Sequence, residues 1–166
     1  MPATNYALGY YYCSPEYSEK IDKFKAAIGD TETTLVSQYT RGLIGRNRDL
    51  FLDLAKADAE AREIPFKRWG KLVYESDMRS LPPAKHGISL PPLPLVKTQL
   101  PEEKVRRKLN YITLGTQNLV FFKLAQHYFY GDRAIDFVSD IVADHLDRLW
   151  EPLYASQVAA DNFENW

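Results

Sequence analysis

The sequence predicts an all-α protein, an irregular helical bundle of about five helices. Apolar residues recur at helical spacing along most of the chain, and residues typical of helix starts and stops flank those stretches. A proline-rich connector at 81–101 then separates a first group of helices from a C-terminal helical hairpin, with helices at about 102–130 and 133–151. The 166 residues suit a single helical domain, because a chain of this length buries roughly 70% of its unfolded surface.

The clearest helix signal in the first half follows Ser14. Ser14 can cap a helix N-terminus, Pro15 suits the first turn, and Gly29 is a typical stop, so a short amphipathic helix is predicted between them. The preceding segment, 1–13, is rich in tyrosine and has no sustained period. It is predicted to be an extended arm that packs either on its own domain or on another chain.

The segment 31–63 is predicted to be one long helix, because its apolar stripe stays in phase across Gly42 and Gly45. A break near Gly45 is the alternative. Arg46 lies on the apolar side of that helix, so its guanidinium is expected to reach solvent or to meet a carboxylate. A shorter helix at 66–78 is predicted after Pro65.

The connector holds six of the ten prolines and is predicted to be an extended strap with polyproline II character. Its segment Leu90-Pro91-Pro92-Leu93-Pro94 resembles the core of a ligand for SH3 domains. Such ligands usually place a basic residue two positions before the leucine, and here that position is Ile88. A stiff strap across the domain or a neighbour is therefore preferred over recognition by an adaptor domain.

The two helices of the predicted C-terminal hairpin differ in their patterns. The end of the first, 119–130, is apolar almost all round, which is typical of a buried helix. The second has one apolar face, and its other face carries a row of aspartates. Phe121, Phe129 and Tyr130 need more cover than the second helix can give, and they are therefore candidate contacts for a partner.

The aspartate row is a candidate for electrostatic docking, because like charges one turn apart weaken a helix by a few tenths of a kcal/mol each. Its docking surface is predicted to be the basic cluster Lys104–Lys108 of the same chain or a partner, and a solvated helix face is the alternative. The aspartates concerned are Asp136, Asp140, Asp144 and Asp147. The tail at 161–166, with Phe163 and Trp166, is expected to be tied to another surface.

Catalytic, cofactor and metal chemistry has no supporting pattern in the sequence, and none is predicted. The single cysteine, Cys13, leaves no internal disulfide and no thiolate zinc cluster. Asp49 and Asp53 stand one helical turn apart, but metal-dependent diphosphate enzymes need two richer acidic motifs. His145 is the sharpest candidate for catalysis, and a structural histidine in a core or interface is the preferred interpretation.

The predicted function is that of a non-catalytic accessory or architectural subunit, held in a multi-protein assembly by protein contacts. The 21 basic and 22 acidic residues nearly cancel, which argues against nucleic acid as a partner. No transmembrane segment and no signal or transit peptide is visible, so the cytoplasm or an organelle interior is expected. The predicted contact residues are Tyr10, Tyr11, Tyr12, Leu90, Pro91, Pro92, Leu93, Pro94, Phe121, Phe129, Tyr130, Phe163 and Trp166.

Two other classes of protein remain open alternatives. One is a small helical enzyme or ligand-binding protein with a pocket at the C-terminal hairpin, lined by Phe122, His145 and a tyrosine. The other is a structural protein of a virion or filament, in which arms and straps reach neighbouring copies of the same chain.

Overall fold

The computed structural model describes residues 4–148, and most of them are helical. The helical part of the prediction is therefore confirmed, but an all-α fold is wrong, because short strands form two small antiparallel sheets. The elements, in chain order, are β1 (Asn5–Ala7), β2 (Tyr10–Cys13), α1 (Pro15–Ile28), α2 (Glu32–Arg46), α3 (Arg48–Ala61), α4 (Phe66–Glu75), a 3₁₀ turn (Met78–Ser80), β3 (Val105–Lys108), β4 (Tyr111–Thr113) and α5 (Thr116–Tyr130). A last helix, α6, covers 134–148 within the described residues.

The N-terminal arm pairs with the segment 105–113 as one bent antiparallel ribbon. β1 pairs with β4, and β2 pairs with β3. At the bend, the backbone N–H of Leu8 donates to the carbonyl of Asn110, and the N–H of Leu109 donates to the carbonyl of Gly9. The arm therefore packs on its own domain, and the helix predicted to begin at about 102 begins only at 116.

The segment 105–113 has a helix-like pattern because its alternation of buried and exposed side chains changes phase at the bend. Leu109 is buried at the end of β3, and the next buried position is Ile112 rather than Tyr111. A strand alone would give buried residues two positions apart, whereas this change of phase gives a step of three. A step of three is the spacing expected of a helix, so the pattern favoured the wrong element.

Helix α1 forms where the sequence predicts it. The hydroxyl of Ser14 accepts a hydrogen bond from the N–H of Tyr17, and Pro15 occupies the first turn. Gly29 ends the helix in the left-handed conformation, with φ of 79°. The side chains of Ile21 and Phe24 lie on its buried face.

The long helix predicted for 31–63 is broken, and the alternative of a break near Gly45 is closer to the structure. The break falls at Asn47, whose φ of −120° and ψ of 29° are not helical. The side-chain amide of Asn47 donates to the carbonyl of Leu43 and so satisfies a backbone acceptor at the end of α2. The helix predicted for 66–78 ends at Glu75, and a 3₁₀ turn follows it.

A buried carboxylate joins α3, α4 and α5. The side chain of Asp58 is inaccessible to solvent and accepts hydrogen bonds from Arg62 Nε at 2.8 Å and Trp69 Nε1 at 2.7 Å. The hydroxyl of Tyr128 in α5 also donates to it. A carboxylate buried this deeply needs such donors, because an isolated buried charge is too costly.

Lys123, in the middle of α5, contacts the C-terminal end of α4. Its ammonium group donates to the carbonyls of Val73, Tyr74 and Ser76, at the end of α4. A cation at a helix C-terminus is favoured by the helix dipole, and here it also satisfies carbonyls that have no partner within the helix. The ammonium therefore attaches the C-terminal end of α4 to α5.

The connector has neither helix nor strand between 81 and 104, as the proline content predicts. It is held at its two ends. The N–H of Lys85 donates to the carbonyl of Ala61, and Thr98 binds the carboxylate of Asp140 in α6.

Among residues 4–148 no helix combines the length and the apolar character needed to cross a membrane.

Candidate protein-binding face

The β2–β3 half of the ribbon has two different faces. The register places Tyr10 opposite Lys108 and Tyr12 opposite Arg106, and these four residues share the outer face. The alternate residues of the two strands, which include Tyr11 and the facing Arg107, point inward. Tyrosine and arginine therefore occur on both faces of the same two strands, in different surroundings.

On the inner face, the guanidinium of Arg107 is held by carboxylates. Its Nε and Nη2 lie 2.7 Å from the two carboxylate oxygens of Glu32, and Nη2 also lies 2.7 Å from Oδ1 of Asp22. The buried hydroxyl of Tyr11 donates to the same Glu32 at 2.8 Å. Burial alone would raise the pKa of Glu32, but the hydrogen bonds from Arg107 and Tyr11 outweigh it and lower that pKa.

On the outer face, the cations lie over tyrosine rings instead. The guanidinium carbon of Arg106 is 4.1 Å from the ring centre of Tyr10, and Nζ of Lys104 is 4.7 Å from that of Tyr12. The two rings meet edge to face, with centres 5.3 Å apart. We call the surface formed by Tyr10, Tyr12, Lys104, Arg106 and Lys108 the basic tyrosine face.

The cations of the basic tyrosine face have no ion pair with any carboxylate of residues 4–148. Contacts between a cation and an aromatic ring contribute about 0.5–1 kcal/mol at exposed sites, and they leave the charge accessible to solvent. All three cationic residues are exposed, whereas Tyr10 and Tyr12 are half-buried. The face therefore carries three positive charges that are not neutralised within the described chain, and rings position two of them, those of Lys104 and Arg106.

The other predicted aromatic contacts mostly lie inside the protein. Tyr11 is 0% exposed and Tyr130 is 2% exposed. Phe121 is also buried and stacks on Phe51 of α3, which supplies the cover that its position was predicted to need. Phe129 is half-buried. Phe163 and Trp166 lie outside the described residues.

The proline segment at 90–94 lies at the surface. Leu90 is 43% exposed, and two of the three prolines are exposed as well. Leu93 is half-buried, and Leu95 just beyond it is buried, so the core anchors this part of the strap. Val96 is 77% exposed and was not among the predicted contact residues.

Two of the four aspartates proposed for docking hold other parts of the chain. Asp140 is buried and accepts hydrogen bonds from the backbone and hydroxyl of Thr98 and from the hydroxyl of Tyr130. Asp147 accepts from the hydroxyl of Tyr17 at 2.7 Å. These contacts attach the strap and α1 to the last helix.

The other two aspartates pair with arginines. Asp144 accepts from Arg148 Nε at 2.9 Å and lies 3.7 Å from Nη2 of Arg46. Asp136 lies 3.3 Å from Nε of Arg133. Within the described residues none of the four aspartates meets the basic cluster at 104–108, so docking of that row onto another protein stays a prediction.

His145 lies in the core beside Arg46. It is 4% exposed, its ring stacks on Tyr39 with centres 4.8 Å apart, and its Nε2 is 3.2 Å from Nη1 of Arg46. Burial, followed by the positive charge of Arg46, lowers the pKa of His145 to about 4. The imidazole is therefore neutral at pH 7, and Nε2 can accept a hydrogen bond from the guanidinium.

Gly42 permits this approach, because a Cβ atom at that position would lie 3.2 Å from Nε2 of His145. As the sequence predicted, Arg46 both reaches solvent and meets a carboxylate, that of Asp144. The ligand-binding alternative expects a closed cavity lined by Phe122, His145 and a tyrosine. Phe122 is fully buried and its ring packs against those of Tyr6 and Phe137. That alternative stays a prediction.

Across residues 4–148 no group of three or more histidine, cysteine or acidic side chains could hold a metal ion. Asp49 and Asp53 are both exposed.

No protein-family model matches the chain, and no curated protein or solved structure with significant similarity was found. The function is therefore inferred from the chain's own residues.

Three of the five residues of the basic tyrosine face were not predicted as contact residues. Tyr10 and Tyr12 were predicted as contact residues, but Lys104, Arg106 and Lys108 were assigned to the first turns of a helix. Their spacing of two residues is the signal that could have identified them, because it places all three side chains on one face of a strand and not of a helix.

Proposed function

We propose that the chain is a non-catalytic subunit of a multi-protein assembly and that it binds a partner protein through the basic tyrosine face. The observation that supports this proposal is the set of three exposed cations that lack a carboxylate partner in the described chain. A protein with a formal net charge of −1 has enough carboxylates to neutralise them. Among residues 4–148, the carboxylates neutralise Arg107 on the inner face and not the outer cations.

The composition of the face also favours binding to a protein. Tyrosine and arginine are enriched at the centres of protein interfaces, where large, rigid side chains lose little conformational freedom on binding. Here the rings of Tyr10 and Tyr12 already restrict Arg106 and Lys104 before any partner arrives. Part of the entropic cost of binding is therefore met during folding.

The surface extends beyond β2 and β3. A stable protein interface covers about 800 Å² on each partner, which is more than five side chains supply. On β4 the ring of Tyr111 is 41% exposed and lies on the side of the strand opposite the buried Ile112. It adds an exposed apolar side chain three positions after Lys108 in the chain, and interfaces commonly combine apolar and basic residues.

Affinity purification of the full chain from its native cells, at low and at high salt, tests this function. The wild type is expected to retain one or more proteins in fixed stoichiometry. A Lys104→Glu, Arg106→Glu, Lys108→Glu variant should lose them, and the matched control, with Lys56→Glu, Lys67→Glu and Lys71→Glu on exposed faces of α3 and α4, should retain them.

The mass of the native complex gives the deciding measurement. A native species with the mass of the single chain, and no protein retained in fixed stoichiometry, would overturn the proposal. Circular dichroism and thermal melting of each variant confirm that any loss of binding does not arise from unfolding.

A further inference from the structure

Within residues 4–148, the outer edge of β3 has backbone groups that no strand pairs with. β3 has one neighbouring strand, β2, in the described structure. The N–H of Leu109 donates to Gly9, and this bond sets the phase of the ladder. Because hydrogen-bonded pairs alternate along an antiparallel ladder, the next such pair is Tyr11 and Arg107. The N–H and C=O groups of Arg106 and Lys108 therefore point away from β2.

The opposite edge of the ribbon is covered, which makes the outer edge of β3 distinctive. By the same alternation, the N–H of Tyr12 points away from β3, and it donates to the hydroxyl of Ser139 in α6 at 3.2 Å. The helix thus contacts the β2 edge at Tyr12. No hydrogen bond within residues 4–148 joins the outward N–H groups of Arg106 and Lys108 to another element.

The side chains along this edge select the charge of an added strand. Arg106 and Lys108 project to the outer face of β3, and Lys104, one residue before the strand, lies over the ring of Tyr12 on the same face. Cations on an edge strand discourage pairing with neutral or basic strands, which is a common protection against aggregation. They favour a strand that carries carboxylates opposite them, because opposite charges in directly facing positions are stabilising.

We propose that β3 binds an extended acidic segment of the partner protein as a third strand of this ribbon. The carboxylates of that segment lie at alternate positions and face Lys104, Arg106 and Lys108. The residues between them lie beside the half-buried Val105 and Arg107, so they are uncharged. This inference rests on the proposed function and names the chemistry of the partner and its mode of binding.

The backbone groups favour a protein segment over a nucleic acid. An extended peptide offers N–H and C=O groups at the strand repeat, and strand addition to an exposed edge is a common mode of peptide recognition. A polynucleotide can meet the three cations with phosphates, but it lacks donors and acceptors that match the outward backbone groups of Arg106 and Lys108. A single-stranded oligonucleotide therefore serves as a competing probe.

Fluorescence anisotropy with synthetic peptides tests the inference on the full chain. The probe is a labelled peptide of about nine residues in which glutamate alternates with threonine or valine. A second peptide of the same sequence carries N-methyl groups on the amides that would face β3, which removes the backbone hydrogen bonds and keeps the charge. A third has the same composition with its glutamates in one block, and an oligodeoxynucleotide of equal charge completes the set.

We expect the alternating peptide to bind at least about tenfold more tightly than the N-methylated and the block peptides. The triple charge reversal at 104, 106 and 108 should weaken its binding by at least about tenfold, and the control reversal on α3 and α4 should not. In ¹⁵N-resolved NMR spectra, the amide signals of Arg106 and Lys108 should shift on addition of peptide and should exchange with solvent more slowly.

Two results would overturn strand addition. Equal binding of the alternating and the N-methylated peptides would show attraction by charge alone, and tighter binding of the oligonucleotide would assign the face to nucleic acid. A milder variant, with glutamine at 104, 106 and 108, keeps the test valid if the charge reversal fails to fold.

The failure of this inference can be distinguished from the failure of the proposed function. If native partners are retained through the three cations but the amide signals of Arg106 and Lys108 do not respond, strand addition is wrong and the proposed function stands. If no native protein is retained by the wild type, the proposed function is wrong whatever the peptides do.

Discussion

The inner and outer faces of β2 and β3 carry the same types of residue in opposite electrostatic situations. Arg107 points inward and meets two carboxylates, whereas Arg106, its neighbour in the chain, points outward and meets a tyrosine ring. Tyr11 donates its hydroxyl to Glu32 on the inner face, while Tyr10 offers its ring to a cation on the outer face.

This difference separates the residues that hold the fold from those that are free to bind. The inner cation is neutralised within the chain, so its removal leaves Glu32 partly unpaired in a poorly solvated place. The outer cations have no such counterpart in residues 4–148, so their removal costs the folded chain little. Any effect they have should appear in binding.

The largest expected effect is that of Arg107→Met on stability. It should lower the free energy of unfolding by about 3 to 4 kcal/mol, because the half-buried Glu32 then keeps, among the described residues, only Lys25 as a cationic partner. Arg106→Met, the matched variant on the outer face, should cost less than about 1 kcal/mol. Urea unfolding of both variants measures the difference, and equal losses would contradict the distinction between the two faces.

The second effect extends the comparison to His145, an interior base that is neutral at pH 7. Its pKa is about 4 in the folded chain, below its ordinary value, so the unfolded chain binds the proton more readily. Stability is therefore lost as the pH falls from about 6.5 to 4, by about 2 to 3 kcal/mol from this group. Carboxylates titrate over the same range of pH. The contribution of the histidine is therefore measured as the difference between the wild type and His145→Gln.

In that comparison, His145→Gln should be less stable at pH 7, because it loses the stack on Tyr39. Its stability should then fall less steeply with acid than that of the wild type. Thermal unfolding at half-unit steps of pH between 7 and 4 measures both slopes. Parallel slopes would show that the histidine is not held in its neutral form.

A smaller effect is expected from removing single hydroxyl groups. Tyr11→Phe deletes the hydrogen bond to the Glu32 carboxylate and should cost about 1 to 2 kcal/mol. Tyr10→Phe keeps the ring that lies under Arg106 and should change stability by less than about 0.5 kcal/mol. Chemical denaturation of the two variants, under one set of conditions, gives a direct contrast between the faces.

A small effect on stability is expected where the effect on binding is largest. Glutamine at positions 104, 106 and 108 should lower the free energy of unfolding by no more than about 2 kcal/mol in total, because two exposed cation–ring contacts are lost and the side chains form no ion pair with the described residues. Partner retention and its dependence on salt should fall together in the same variant. A large loss of stability would assign these cations to the fold.

Local signals in the sequence were sufficient for α1. Its cap, its proline and its glycine stop all lie within the element that they define, and each acts as predicted. The ribbon could not be predicted in this way, because its pairing depends on residues in distant parts of the chain. The change of phase after Leu109 then gave the second strand segment a helical spacing.

Only part of the candidate site could be predicted from the sequence. The tyrosines of the arm were identified as contact residues by their composition, but composition alone did not separate Tyr11, which is buried, from Tyr10 and Tyr12. That separation follows from the register of β2 against β3. The partner of Arg107 could not be predicted either, since Glu32 lies at the start of a helix in the other half of the chain.

The ribbon also sets an order of events for synthesis and folding. The strands β1 and β2 leave the ribosome before their partners β4 and β3, which follow only after about a hundred further residues. Until then the tyrosine-rich start of the chain has no strand to pair with, and the ring of Tyr11 cannot be enclosed. The helices α1 to α4 can form from local contacts in the meantime, so closing the ribbon is expected to be the late and slow step of folding.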